Sequence, residues 1–444
     1  MGLRAIAFLF GLMLQSMAAL AQAETDVQMT PAAAHAIARQ AMQDGQTSLA
    51  LAVAKGLLEA NPDDPVGLTV TAAIGPPGAA PQAGRRAFRL STSREVRFEA
   101  AWLTGQAMMR EGRHEAAKLW MRRAMAAAPA IAHERLAERS FLEAQRRSPL
   151  KLTLTASVGP SDNINGGSLH DTFWFAGLPF PISTQLDGGV WSLGASGSVR
   201  LSEAADRRTE FTFGFGHRGV WLSDAAKVAA PAAEATTLSQ SRAEIGLRHR
   251  WRPTEGTLTY STSLTAGRQW QGGREAADDV RLGFGADWQR SDRLMLSMEI
   301  AAIQSVHARD SRRDAHGLRM TLGASMALPN GDQAALSLVF SETRSQAVDI
   351  AAHAVRLNGI WRPAWQPMGI STDLTFGIEG RDFLRAKSFG TDLLLDASAT
   401  FGFTRFEYMG FLPEMSVTAR RVWSDFTPRD AQELGVGFGF RSKF

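Results

Sequence analysis

Cysteine is absent from all 444 residues. Disulfides and thiolate metal sites are therefore excluded, as is a lipid anchor on a cysteine of the mature chain. A charge excess is lacking too. The 48 basic and 44 acidic residues leave a formal charge of +4, and no basic stripe interleaved with aromatics points to nucleic acid. Long apolar runs are missing beyond the N-terminus, so no stretch approaches the length of a spanning helix. Catalytic signatures are also wanting. His114-Glu115 and His133-Glu134 lack the second histidine of a zinc helix, and no Gly-x-Ser-x-Gly elbow occurs. Gly214-Phe-Gly-His-Arg-Gly219 fits a dinucleotide fingerprint as a string. It lies inside an alternating strand instead of opening a helix, so its glycines belong to that strand. These absences predict no enzyme, no cofactor and no metal.

What the chain does have begins with a secretory signal. Arg4 supplies a basic start, residues 5–14 are apolar, and Ala21-Gln22-Ala23 is a small-residue cleavage site. Cleavage before Glu24 makes residues 1–23 the signal peptide.

Residues 30–145 are alanine-rich, with Leu, Met and Trp at helical spacing. Ala38, Gly45, Ala50, Leu57 and Pro62 form one series of small and closing residues; Gly105, Gly112, Ala117, Ala124 and Pro129 form another. The spacing resembles the tetratricopeptide pattern of paired helices, with a middle unit broken by Gly75-Pro-Pro-Gly78 and Pro81. An irregular alanine-rich bundle is the plainer alternative. If the second series is a true repeat, Glu99, Trp102, Gln106, Met109 and Arg110 face a groove suited to a peptide or an extended segment. Trp102 and Met109 could equally pack against a neighbouring hairpin.

At Pro149 the period changes from 3.6 to 2. Fourteen strands are predicted: 150–158, 187–202, 209–222, 237–251, 256–270, 280–289, 293–306, 315–328, 333–343, 350–361, 369–381, 389–406, 410–423 and 431–444. Odd-numbered connections are mostly long (159–186, 223–236, 271–279, 307–314) and even-numbered ones tight (252–255, 290–292, 329–332). That alternation, with Trp221, Trp251, Trp270, Trp288, Trp361 and Trp423 near strand ends, predicts an all-β transmembrane barrel. An even strand count returns the chain to the side on which it entered, which would be the periplasm. Asp278, Asp279, His307 and Asp310 cluster at the expected outer rim. They could activate water, although loop tips collect charges for solvation anyway. The arginines beside them would suit anionic lipopolysaccharide groups.

The last strand alternates Leu434, Val436, Phe438 and Phe440 and closes on Phe444, which resembles the C-terminal sorting signal of bacterial outer-membrane barrels. Such a signal implies insertion by the barrel-assembly machinery. The first strand runs into Pro160-Ser-Asp-Asn163-Ile164-Asn165. This turn, after a tetratricopeptide-like segment and before a barrel ending in Phe, resembles the surface lipoprotein assembly modulators of type XI secretion. The resemblance implies a periplasmic helical domain over residues 24–148 and an outer-membrane barrel of about 14 strands over residues 149–444. It further implies a client, either a surface lipoprotein or a secreted protein, that the chain moves to the cell surface. Asn163 and Asn165 would order the first loop or touch the client, or simply favour a turn. The first and last strands would form a seam. A porin or exopolysaccharide-export channel is the rival expectation, and a barrel-borne adhesin a third.

Overall fold

The computed structural model describes residues 29–253, 256–385, 390–408 and 410–442. The expected signal peptide and the terminal Phe444 lie outside them. Two compact units divide the chain, residues 1–144 and 145–444.

The first unit is helical. Its described elements are α1 (Pro31–Gln43), α2 (Thr47–Ala60), α3 (Pro65–Ile74), α4 (Ala79–Leu90), α5 (Arg94–Arg110) and α6 (His114–Ala127), followed by α7 (Ile131–Arg147). Consecutive helices pair as hairpins, and the Gly75-Pro-Pro-Gly78 segment is the turn of the middle one. Pro81 falls in the first turn of α4, where a missing N–H costs little. Thr30, Asp64 and Ser93 cap α1, α3 and α5 with side-chain oxygens. Small residues let the helices close on one another. Ala38, Ala50, Ala54, Ala117 and Ala124 are completely buried. A Cβ on Gly105 would lie 2.6 Å from the Met121 methyl, and one on Gly84 would lie 2.1 Å from the Thr104 hydroxyl. Helices packed this closely gain dispersion contacts that larger side chains would prevent.

The second unit is a closed antiparallel barrel of fourteen strands. Its members are β1 (Leu150–Ser161), β4 (Gly188–Glu203), β5 (Arg207–Leu222), β6 (Gln240–Trp251), β7 (Leu258–Gln271), β8 (Arg274–Gln289) and β9 (Leu294–His307). The circuit continues with β10 (Ala315–Ala327), β11 (Gln333–Ser345), β12 (Ala352–Arg362), β13 (Ile370–Phe383), β14 (Thr391–Phe403), β15 (Phe411–Ser424) and β16 (Ala431–Ser442). Each strand pairs with its sequence neighbour and β16 pairs with β1. The short strands β2 (Thr172–Phe175) and β3 (Leu178–Pro181) form a separate hairpin in the first loop. No sequence signal had marked that hairpin.

One expected loop is corrected. Residues 271–279 are not a long connection: β7 and β8 extend toward each other and turn at Gly272-Gly273, both at positive φ. Two adjacent left-handed residues make the tight hairpin turn that glycine permits without strain.

The wall is inside out relative to a soluble β-protein. Leu193, Phe215, Ile245, Leu264, Leu282, Ile300, Leu318, Leu336, Ile378 and Phe438 are all exposed. Register places such residues opposite one another around the circuit, as with Leu247 and Leu264 or Phe284 and Ile300. A continuous apolar belt on the outside is costly in water and favourable in hydrocarbon. Closure leaves no strand edge to solvate there. Trp191, Trp221, Trp288, Trp361 and Trp423 are among the exposed side chains on this outer face. Trp221 lies across Gly189 and Trp191 across Gly219, since a Cβ on either glycine would overlap the ring. The latter glycine belongs to the dinucleotide-like string, which sits in mid-strand as expected.

Candidate functional site: the barrel seam and lumen

Closing the wall falls to β1 and β16, and their junction differs from the rest. Among the described residues, which end at Ser442 on β16, five residue pairs are in register there, Thr155 with Arg441 through Val158 with Phe438, then Ser161 with Gly435. Every other adjacent pair of strands has at least ten. Pairing lapses at Gly159 and Pro160, with the same register resumed at Ser161. Proline has no N–H to give the ladder, and a Cβ on Gly159 would lie 1.8 Å from the Val436 carbonyl oxygen. Glycine thus permits a backbone approach that offers little side-chain packing.

The loop end of the seam is fastened by the Pro160–Asn165 segment. Ser161 donates to Glu433 at 3.0 Å, and the Leu434 amide donates to Asp162 at 2.7 Å. Asn163 is only 2% exposed. Its carboxamide donates to the carbonyls of Gln432 (2.8 Å) and Gly167 (2.9 Å) and accepts from the Gly167 amide (2.8 Å). One side chain therefore ties the first loop to itself and to the last strand. Asn165 shapes the far side of the loop, donating to Thr184 O (2.8 Å) and accepting from the Leu186 amide (2.9 Å). Ile164 is buried against Leu186, Val220, Leu222 and Ala226, and Arg218 donates to its carbonyl. Further along, Ser168 donates to Thr427 O at 2.9 Å and the Leu169 amide to Asp430 O at 2.8 Å. At the opposite end, the described residues beyond Thr155 are joined by the Leu154 amide donating to the Ser442 hydroxyl at 3.1 Å.

The lumen is charged. A cavity of about 740 Å³ is lined by Arg281, Glu299, Arg319, Arg356, Glu379 and Arg381, among others. Arg281 pairs with Glu299, Arg356 with Asp396 at 2.7 Å, and Arg381 with Glu379 at 2.6 Å. Among the described residues Arg319 makes no ion pair or hydrogen bond, although Arg242, Arg281, Glu299 and Glu379 act on it electrostatically.

The other sequence candidates are placed as follows. Glu99 is exposed on α5. Trp102 and Gln106 both donate to the Ser140 hydroxyl at 3.2 Å, which directs them toward α7. Met109 packs on the core around Phe98 and Trp120, and Arg110 reaches the Ala72 carbonyl at 3.5 Å. Phe438 and Phe440 are exposed on the outer face. The rim carboxylates do not converge. Asp278 is held by Arg268 (2.6 and 2.8 Å), Asp279 by Gln269 (2.5 Å) and Asp310 by Arg312 (3.0 Å). Asp278 and Asp279, adjacent in one strand, point to opposite faces. The seam latch escaped the sequence reading in detail because its partners lie some 270 residues away.

No family model matches the chain, and no curated protein matches it. Solved structures similar to it are outer-membrane channels. The channel DcaP of Acinetobacter baumannii is 10% identical, covers 66% of this chain and 97% of its own, and has a TM-score of 0.40. OprB of Pseudomonas putida is 11% identical, covers 68% and 96%, and has a TM-score of 0.38. A bacterial polysaccharide outer membrane secretin is 10% identical, with 66% and 98% covered and a TM-score of 0.35. At so low an overlap these likenesses carry no argument about function, which rests on the residues above.

Proposed function

We propose that the chain is an outer-membrane translocator that moves a polypeptide client, a surface lipoprotein or a secreted protein, to the cell surface. The observation that carries this reading is the lapse in pairing between β1 and β16 at Gly159 and Pro160. A passive pore gains nothing from a weak closing junction, because each unpaired backbone group facing lipid costs free energy. A translocator gains a place where the wall can part for an extended chain. In this reading the helical unit is tetratricopeptide-like, lies in the periplasm and holds the client before passage. Lipids and lipopolysaccharide surround the barrel, and the barrel-assembly machinery inserts it.

Val158 and Phe438 are register partners on the lipid face, and residues paired in this way have a Cα separation that a disulfide can span. The chain has no other cysteine, so V158C/F438C locks the seam cleanly. Oxidation should stop surface exposure of the client, scored by protease accessibility on whole cells, and reductant should restore it. Normal export through the oxidised barrel would refute the seam route.

A second reading, a solute channel, is favoured by one observation, the charged lumen cavity with its unpaired Arg319. It predicts steady ion conductance in planar bilayers that the locked seam leaves unchanged.

A further inference from the structure

We propose that the helical unit binds an acidic, apolar-flanked peptide segment in a pocket formed by α2, α3, α4 and α6. None of Glu99, Trp102, Gln106, Met109 and Arg110, on which the sequence placed a groove, lines this pocket. The inference rests on the helical unit's own residues and holds whatever the barrel carries.

A hollow of about 880 Å³ lies on this side of the unit. Its position follows from the hairpin lengths. Helices α3 and α4, with 10 and 12 residues, form the shortest hairpin, flanked by helices of 13 to 17 residues. The floor is apolar, made by Leu58, Leu68, Phe88 and Trp120. Phe88 and Trp120 meet edge to face with ring centroids 5.5 Å apart, an arrangement that fixes both rings.

The rim is cationic, with Arg85, Arg86, Arg89 and Arg123 lining the same hollow. Two of them are already engaged. Arg86 pairs with Asp63 at 2.6 Å, and the Arg85 Nε donates to the Pro81 carbonyl at 3.2 Å. Among the described residues the other two have no carboxylate partner. Among the described residues Arg89 makes no ion pair or hydrogen bond, and Arg123 lies over the Trp120 ring, 4.3 Å from its centroid. A guanidinium stacked on an indole keeps its edge N–H groups free for a planar anion.

Charge complementarity thus selects the occupant. Carboxylates can bridge Arg89 and Arg123 bidentately, while adjacent Leu or Phe side chains cover the floor. An extended segment alternating acidic and apolar residues meets both demands. A volume of this size matches a ligand site in which apolar surface gives affinity and a few polar groups give orientation.

The test uses the full-length protein in detergent micelles and a short fluorescent peptide alternating Glu with Leu, followed by anisotropy. The peptide should bind, weaken in high salt, and lose most of its affinity when every Glu is replaced by Gln. R89Q/R123Q should bind roughly five- to thirty-fold more weakly. R89K/R123K, which keeps the charge, should recover part of that loss, and R39Q on α1 should bind normally. Unchanged thermal melts would show that the variants are folded. Four results would overturn the proposal: no binding to the wild type, equal binding of the Gln peptide, equal binding by R89Q/R123Q, or displacement of the peptide by lower concentrations of dodecyl phosphate. The last would assign the pocket to a lipid headgroup.

Discussion

Replacing Asn163 with alanine should open the barrel at one place. The side chain is buried and makes three short hydrogen bonds, two to carbonyl oxygens and one from an amide. Alanine leaves the buried carbonyl of Gly167 and the part-buried carbonyl of Gln432 without these partners. Each buried, unsatisfied group costs about 1–3 kcal/mol. The Gly167 amide retains a longer contact with Asn165 at 3.3 Å, which offsets part of the loss. We expect a net cost of about 2–4 kcal/mol, confined to the loop end of the seam. Local opening there should become roughly thirty- to several-hundred-fold more frequent. Hydrogen exchange on the detergent-solubilised protein reads this directly. Amides of residues 158–168 and 430–436 should exchange faster, while those of β8 to β12 stay at the wild-type rate. Asn163→Asp should fare no better, since it loses both donor bonds and sets a carboxylate against two carbonyl oxygens. An N163A protein with unchanged exchange across both segments would refute the latch.

Two further outcomes follow from other sites. Burial pushes the Asp64 carboxyl up, but the Gly67 amide, the His35 ring at 2.7 Å and the Val66 amide outweigh it and hold it below the ordinary carboxylate value. Its contribution to the helical unit is therefore fully present above the unfolded pKa of about 3.9 and is lost as pH falls through the lower folded value. Thermal melts should be flat in this respect above about pH 5 and decline below about pH 4, and Asp64→Asn should remove that decline. In the lumen, Arg319→Gln should lower the anion-to-cation permeability ratio roughly fivefold or more, since one charge at contact distance in water is worth about 1 kcal/mol. Reversal potentials in a KCl gradient measure it, and an unchanged ratio would mean that Arg319 does not face the conducting path.

The barrel was legible residue by residue. Phe211, Phe213 and Phe215 alternate outward in β5, and Leu318 to Met326 do so in β10, because a wall facing lipid imposes period 2 without help from any distant core. Strand ends were sharpest where turns carry their own chemistry, as at Asn330-Gly331, where Gly331 has positive φ. They failed at residues 271–279, where polar Asp278 and Asp279 hid strand that continues past the apolar belt to Arg274. The β2–β3 hairpin was missed because its strands have four residues each, too few for a period to show. The helical unit gave up its small-residue spacing but not which face would be open. Trp102 and Gln106 look like groove residues until Ser140, more than thirty positions later, accepts from both.

Sequence alone determined the two-part plan, the strand number, the outward belt and the identity of the strands that must meet. All of these follow from periodicity, which is set by backbone geometry and read within a few residues. Tertiary structure decided how the meeting strands are joined. That Asn163 reaches the Gln432 carbonyl, that the ladder lapses at Gly159-Pro160, and that Arg89 and Arg123 line one hollow with Phe88 and Trp120 are outcomes of closure and helix stacking. They bring together groups whose separation along the chain carries no local signal of the contact. The turn around Asn163 was visible as a turn, and only the closed barrel made it a fastening.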